Sequence, residues 1–544
     1  MADVPSWMAS AVPTSEWSTF AASLSSVAGG EAVSAPSPGH GTEGMAETLD
    51  PDDWNAYEDL LRRAASDLVR SLRTVRERPP WRSPPAEVRA ALDEPPPRDG
   101  RPLDEVWSRV SREVLPYPTG NIHPRFWGWV TGTGTPTALL ADLVASAMNA
   151  HAGGYDQSST LVERQVIRWF VELFRFPVTA SGVLTSGGTA ANLVGLAAAR
   201  QARAGWDVRA EGLLGRPPLR VYASTETHGW AARCCELMGM GRSALRVIPV
   251  DDHFRVDVAA MRSALRADRA AGDRPICIIG SSGTVNTGSI DDLEALADLA
   301  AEEGVWFHVD GALGALAALA PDLRPRLAGL ERADSIAFDL HKWAYLQYDI
   351  GCVLVRHGDR HRAAFESAAA YLEPGGRGVQ PTPLEFAQLG LQLSRGFRAL
   401  RAWMAFQHHG TRQLGRLISQ NARHVRELAA AVDREGRLER LAPVALNVVC
   451  YRYRVPGGDE AAHEAINREI MLRLQEEGVA VVSSTRLRGR FALRVANVNH
   501  RSLPEDFDLL HRETLRLGDA LVAEGFGSPP APAAQAGSSS SAST

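Results

Sequence analysis

From about residue 135 to residue 355 the chain alternates short apolar runs with longer amphipathic stretches. That alternation constrains it more than any other feature, because it specifies a mostly parallel sheet with helices on both faces. The runs are GVLTS at 182–186, LRVYA at 219–223, LRVIPV at 245–250, PICIIG at 275–280, VWFHV at 305–309, DSIAF at 334–338 and GCVLV at 351–355. Helices are expected at 136–150 and 160–174 before the first run, and at 189–202 and 291–304 between later ones. A long helix over 390–432 follows. Beyond it, strands at 445–453 and 490–495 flanking a helix at 459–477 predict a smaller α+β domain.

The ends of the chain read differently. Residues 1–48 are rich in Ala, Ser, Pro and Gly and predict a flexible extension; residues 527–544 predict a disordered low-complexity tail. Between them we expect a helical arm over 49–130, with Trp54, Tyr57, Leu60, Leu61, Ala64 and Leu68 at helical spacing. A large α/β domain is expected over 131–405 and the small domain over 406–526.

Composition excludes several classes of function. A net charge of −6 gives no basic excess for nucleic acid or an anionic membrane. Five irregularly spaced cysteines form neither a disulfide framework nor a metal-binding pattern, so no metal is expected. The longest apolar stretch, 311–320, is too short to span a bilayer. A soluble cytoplasmic protein is the expectation.

Of the 58 basic side chains, 57 are arginine and one, Lys342, is lysine. Arginine replaces lysine in most ion pairs but not as a nucleophilic amine, which directs attention to the neighbours of Lys342. In an open α/β sheet ligands bind at the carboxyl ends of the strands. Gly187-Gly188-Thr189 after the first run suits an anion at a helix start. Asp310, after the fifth, is a carboxylate that burial makes costly without a cation. Asp339-Leu340-His341-Lys342 follows the sixth. A phosphate cradle, an acid and an amine at one sheet edge match the needs of pyridoxal 5′-phosphate.

With these residues in place the chain resembles the group II pyridoxal-phosphate decarboxylases, which include aromatic-L-amino-acid and glutamate decarboxylases of the aspartate-aminotransferase fold (fold type I). The resemblance spans roughly residues 50–525. It rests on HPRFWGWV at 123–130, GVLTSGGTAANLVGLAAAR at 182–200, VYASTETHGWAA at 221–232, GTVNTGSIDDL at 283–293, WFHVDGALGA at 306–315, ADSIAFDLHKW at 333–343 and SRGFRALRAW at 394–403. It implies Lys342 as the Schiff-base lysine, Asp310 as partner of the pyridinium nitrogen and His228 stacked on the ring opposite Ala312. It also implies Gly188, Thr189, Thr284, Asp339 and His341 around the cofactor, and Tyr371 on a loop as the catalytic proton donor.

The implied activity is decarboxylation of an L-amino acid to its amine and CO₂ by a homodimer, with Trp127 and Trp129 favouring an aromatic substrate. Arg494 is a candidate for binding a carboxylate. Four features depart from the family pattern: Val285 replaces a second threonine, Asp339 replaces the asparagine of animal aromatic decarboxylases, Trp129 replaces a ring-binding tyrosine, and GGYDQSSTLVE at 153–163 lacks the SPA-type segment common in aromatic decarboxylases. Three alternatives remain open at this point: an aminotransferase, a decarboxylation-dependent aldehyde synthase, and a noncatalytic binding relative.

Overall fold

The computed structural model describes residues 48–367 and 372–526. The chain divides into two compact units, Met1–Arg63 and Ala64–Thr544, and the helix Trp54–Arg73 crosses their boundary. That helix starts where Asp53 caps it: its Oδ1 accepts from the backbone N–H groups of Asn55 at 2.9 Å and Ala56 at 3.1 Å. Among the described residues no helix is long and apolar enough to cross a membrane.

The second unit is built on a seven-stranded sheet of β1 (Ser181–Thr185), β2 (Leu219–Ser224), β3 (Leu245–Ile248), β4 (Arg274–Ser281), β5 (Trp306–Asp310), β6 (Ser335–Asp339) and β7 (Gly351–Val355), in the order β1-β7-β6-β5-β4-β2-β3. All seven lie within a residue or two of the apolar runs. β7 alone runs against its neighbours β1 and β6. The reason is the connection over 340–350, which holds only the one-turn helix Leu340–Trp343 and is too short for a crossover.

Alternate side chains of each strand enter two separate cores. Leu184, Tyr222, Ile278, Phe307, Ile336 and Leu354 belong to one, and Val183, Val221, Ile279, Trp306, Ala337 and Val353 to the other. Both faces are therefore buried, as continuous apolar strands require, and each large aliphatic side chain contributes about 1.5–3 kcal/mol by leaving water. Helices Ser158–Leu173 and Leu293–Glu303 supply the first core, and Gly188–Arg203 and Trp230–Leu237 the second. Cys234 and Cys235 are buried in the latter as free thiols, and burial pushes them up to about 11 and about 12.

One ion pair pins the sheet edge. Arg395, in the SRGF segment, meets Glu163 at 2.7 Å and also donates to the carbonyls of Leu184 at 2.6 Å and Ala152 at 2.7 Å. The expected helix over 390–432 instead runs from Ala399 to Arg434 and breaks at Gly410, whose φ of 69° and ψ of 157° lie outside helical space. Gly390 and Gly396 disfavour an earlier start.

A second sheet, antiparallel, has the order β10-β11-β9-β8, with β8 (Leu438–Arg440), β9 (Val448–Tyr453), β10 (Ser483–Leu487) and β11 (Arg490–Ala496). Helices Glu460–Glu476 and Pro504–Ala523 share its core. The sequence pattern identified β9, β11 and the first of these helices. It missed β8 and β10, short strands with polar faces, and the last helix.

Candidate active site

Every strand of the large sheet except β7 runs the same way, so β1, β2, β4, β5 and β6 end at one edge. A cavity of about 310 Å³ opens there, and its wall includes Gly188, Thr189, His228, Thr284, Asp310, Ala312, Asp339, His341 and Lys342. These are all the residues singled out from the sequence for cofactor and catalysis except Tyr371, which lies outside the described residues.

At the floor, Lys342 Nζ lies 2.7 Å from Asp339 Oδ2. Burial works to lower the lysine's pKa, but the Asp339 carboxylate, by charge and hydrogen bond, outweighs it with help from Asp310 and Tyr348, so the ammonium is favoured beyond the usual lysine range. The other Asp339 oxygen, Oδ1, is buried without a hydrogen-bond partner. His341 Nδ1 accepts from the Ile350 N–H at 3.2 Å, leaving Nε2 to face Asp339 at 3.7 Å, and burial holds the ring toward its neutral form.

The helix Gly188–Arg203 begins at the cavity, and no side chain caps its first turn. Its free N–H groups and the Thr189 hydroxyl therefore remain available to an anion. Only glycine fits at 188: a Cβ there would come within 2.9 Å of Asp339 Oδ2 and 3.2 Å of Ala312 Cβ.

Across the cavity Asp310 is 8% exposed, and among the described residues it has no ion-pair partner. Its Oδ1 accepts from the Ala312 N–H at 3.0 Å and its Oδ2 from Trp230 Nε1 at 2.6 Å. A fixed, buried acid without a counter-ion suits a protonated ring nitrogen. His228, from the loop after β2, is exposed to the cavity, and its Nδ1 accepts from the Trp230 N–H at 3.2 Å. The uncapped helix start, the unpaired acid and the amine together fit pyridoxal phosphate.

Three expectations change. Trp127 is 1% exposed, stacked on Phe507 at 4.5 Å and donating to Ser502 Oγ at 3.0 Å, so it belongs to the core of the second sheet and cannot face a substrate. Trp129 does keep an exposed ring. Arg494 is 3% exposed, is not part of the cavity wall, and commits four of its five N–H donors to the carbonyls of Val285, Asn286 and Trp129 and to Ser483 Oγ, so it braces the site loop and does not face a substrate carboxylate. Thr284 lines the cavity, yet its hydroxyl is engaged in its own turn by Thr287 Oγ1 at 3.0 Å and the Ser289 N–H at 3.1 Å.

The sequence reading also passed over cavity residues. Glu226 faces it with Oε2 held by Asn286 Nδ2 at 3.0 Å, and burial pushes its carboxyl above the usual range. Asn192 and Trp230 also line it. Their only sequence signal was membership in the motif segments that carry Gly188 and His228.

Residues 85–454, more than half of the chain, match the pyridoxal-dependent decarboxylase conserved domain. An aromatic-L-amino-acid decarboxylase of Bacillus atrophaeus is 31% identical, with 77% of this chain and 86% of that protein covered. An L-2,4-diaminobutyrate decarboxylase of Rhizobium meliloti (strain 1021) is also 31% identical, covering 79% and 85%. Among solved structures, Oryza sativa TDC with PLP and tryptamine superposes with a TM-score of 0.79 at 28% identity, covering 87% of this chain and 100% of that one.

Proposed function

Because this chain belongs to the pyridoxal-dependent decarboxylase family, we propose that it removes CO₂ from an L-amino acid, an aromatic one favoured, and releases the amine. The observation that carries this reading is the convergence of Lys342, Asp310, His228 and the Gly188–Thr189 helix start on one cavity. Bound pyridoxal phosphate supplies an aldehyde that captures amines and a ring that accepts the electrons freed when CO₂ departs.

The protein's own groups do the rest. Gly188 and Thr189 would hold the phosphate, with Asp339 and His341 beside it, and Thr284 and Ala312 would flank the ring. Lys342 is the only primary-amine side chain and the one nucleophile of its kind. Asp339 holds the proton on its Nζ until a competing anion or a rise in pH releases it. Asp310, its carboxylate fixed by two N–H donors, retains lone pairs for a cationic partner. His228 has Nε2 free, because Nδ1 is engaged, and in this reading Nε2–H orients the substrate carboxylate. Tyr371 delivers the proton to Cα.

Trp129, adjoining the cavity residue Val130, offers an exposed indole to an aromatic side chain. No arginine stands among the described residues of the cavity wall, which disfavours an acidic substrate. We further propose a homodimer in the cytoplasm. Its support is an apolar stripe on the helix Pro136–Met148, where Leu140, Leu143, Val144 and Met148 are exposed at helical spacing. Within each copy we assign residues 49–130 to the arm, 131–405 to the cofactor domain and 406–526 to the small domain.

The test is a panel of L-amino acids scored for CO₂ and amine in equal amounts. An aminotransferase would yield no CO₂ and require a keto acid. Tyr371→Phe is expected to shift product from amine toward aldehyde and peroxide; an unchanged amine yield removes Tyr371 from the mechanism.

A further inference from the structure

Trp230 sits at the first turn of its helix, 2% exposed, with its indole N–H aimed at Asp310 Oδ2 at 2.6 Å. Its ring rests edge-on against His308 at 5.7 Å and 80°. His308 in turn belongs to a buried chain whose direction is fixed at both ends. Trp306 Nε1 can only donate, and it donates to Ser335 Oγ at 2.8 Å. At the other end Asn192 Nδ2 donates to the Gly188 carbonyl at 2.8 Å, which leaves Oδ1, an acceptor only, to face His308 Nε2–H at 2.7 Å. With the hydrogen of the neutral ring on Nε2, Nδ1 accepts from the Ser335 hydroxyl, 2.7 Å away. Burial, which pushes His308 down to about 3, agrees with the neutral ring this arrangement requires.

The two ends of the site are thus tied by one rigid element. Asn192 fixes the helix start at Gly188, and Trp230, braced on the same histidine, fixes the acid. A carboxylate with one oxygen on a backbone N–H and the other on an indole cannot rotate without breaking a charge-assisted bond.

We propose that Trp230 is a positioning residue that acts through Asp310: its indole N–H sets which carboxylate lone pairs face the ring nitrogen of the cofactor. This rests on the role assigned to Asp310 above. Trp230 itself need not touch the reacting atoms. Its removal should weaken only what depends on the ring nitrogen.

The test compares pyridoxal phosphate with its 1-deaza analogue, in which carbon replaces that nitrogen, by titrating full-length apoenzyme and following absorbance and protein fluorescence. Wild-type protein is expected to bind pyridoxal phosphate at least tenfold more tightly than the analogue. Trp230→Phe, which keeps the ring and loses the donor, is expected to weaken pyridoxal phosphate by about tenfold and the analogue by less than about twofold. The pH midpoint of the bound cofactor's absorption should also move in the variant for pyridoxal phosphate alone.

Equal weakening of both ligands, or of neither, overturns the proposal while leaving the decarboxylase reading intact. A wild-type protein that does not distinguish the two ligands overturns the role of Asp310 and this proposal with it. If Trp230→Phe yields too little folded protein, Trp230→Gln and Trp230→Leu, close in volume and differing in the donor, make the same comparison. Discrimination kept by Gln and lost by Leu supports the proposal, and discrimination equal in the two overturns it.

Discussion

Two buried groups of charges in this molecule have opposite characters. In the Arg395–Glu163 pair, with side chains 1% and 0% exposed, the charges are closely partnered: each terminal nitrogen of the guanidinium meets both the carboxylate and a carbonyl, and Glu163 Oε1 also accepts from the Leu184 N–H at 3.1 Å. In the cavity, Asp310 lacks a cation among the described residues, Asp339 Oδ1 lacks any partner, and Lys342 is held by one carboxylate. Charges that serve the fold are saturated because an open valence in the interior destabilises it. Charges that serve chemistry keep an open valence for what arrives.

The comparison breaks most visibly at Lys342. Lys342→Ala is expected to lower CO₂ release on the order of 10³-fold or more and to abolish borohydride-stable attachment of the cofactor, read by intact mass. A variant that still retains cofactor covalently would place the linkage elsewhere.

Arg395→Met tests the saturated pair. Leaving Glu163 buried and alone is expected to destabilise the fold by about 3–5 kcal/mol, seen as a lower urea midpoint. If stability is unchanged, the two groups do not differ in the way described.

The smallest of the three effects is at Asp339. Because Asp339 raises the Lys342 pKa against the lowering effect of burial, free amine grows scarcer as pH falls, and cofactor loading of apoenzyme should speed up with rising pH. Asp339→Asn leaves burial dominant, so the loading profile should shift toward lower pH. The ion pair's own contribution to folding is fully present below the ordinary lysine value and is lost only above the raised one, so stability near neutral pH is not the readout. A loading profile that stays in place would mean that the Asp339–Lys342 contact does not govern the amine.

Much of this was legible from the chain alone, for reasons that differ by residue. The strand positions follow from apolar runs that burial on both faces demands, and the cavity residues follow from their places just after those runs. The reversed β7 followed from no periodicity, since its apolar pattern is the same in either direction; the short 340–350 connection decides it. Trp127 and Trp129 stand two apart in one motif and would be read alike. Long-range packing against Phe507 buries the first and leaves the second exposed. Arg494 presented a free cation to sequence reasoning, and only the approach of three carbonyls and Ser483 shows it engaged in bracing the loop.

What the sequence determined by itself was the sheet, the order in which cradle, acid and amine meet one edge of it, and the identity of the sole lysine, because these depend on local pattern and on the absence of any other primary amine. What tertiary structure decided was the state of each charge: Asp339 clasping Lys342, Asp310 left without a cation, Trp230 aimed at that acid. Trp230 and Asp310 are 80 residues apart in sequence and 2.6 Å apart in space, and Asp339 and Lys342, only three apart, owe the strength of their contact to burial; electrostatics and hydrogen bonding are set by distance and burial and not by position along the chain.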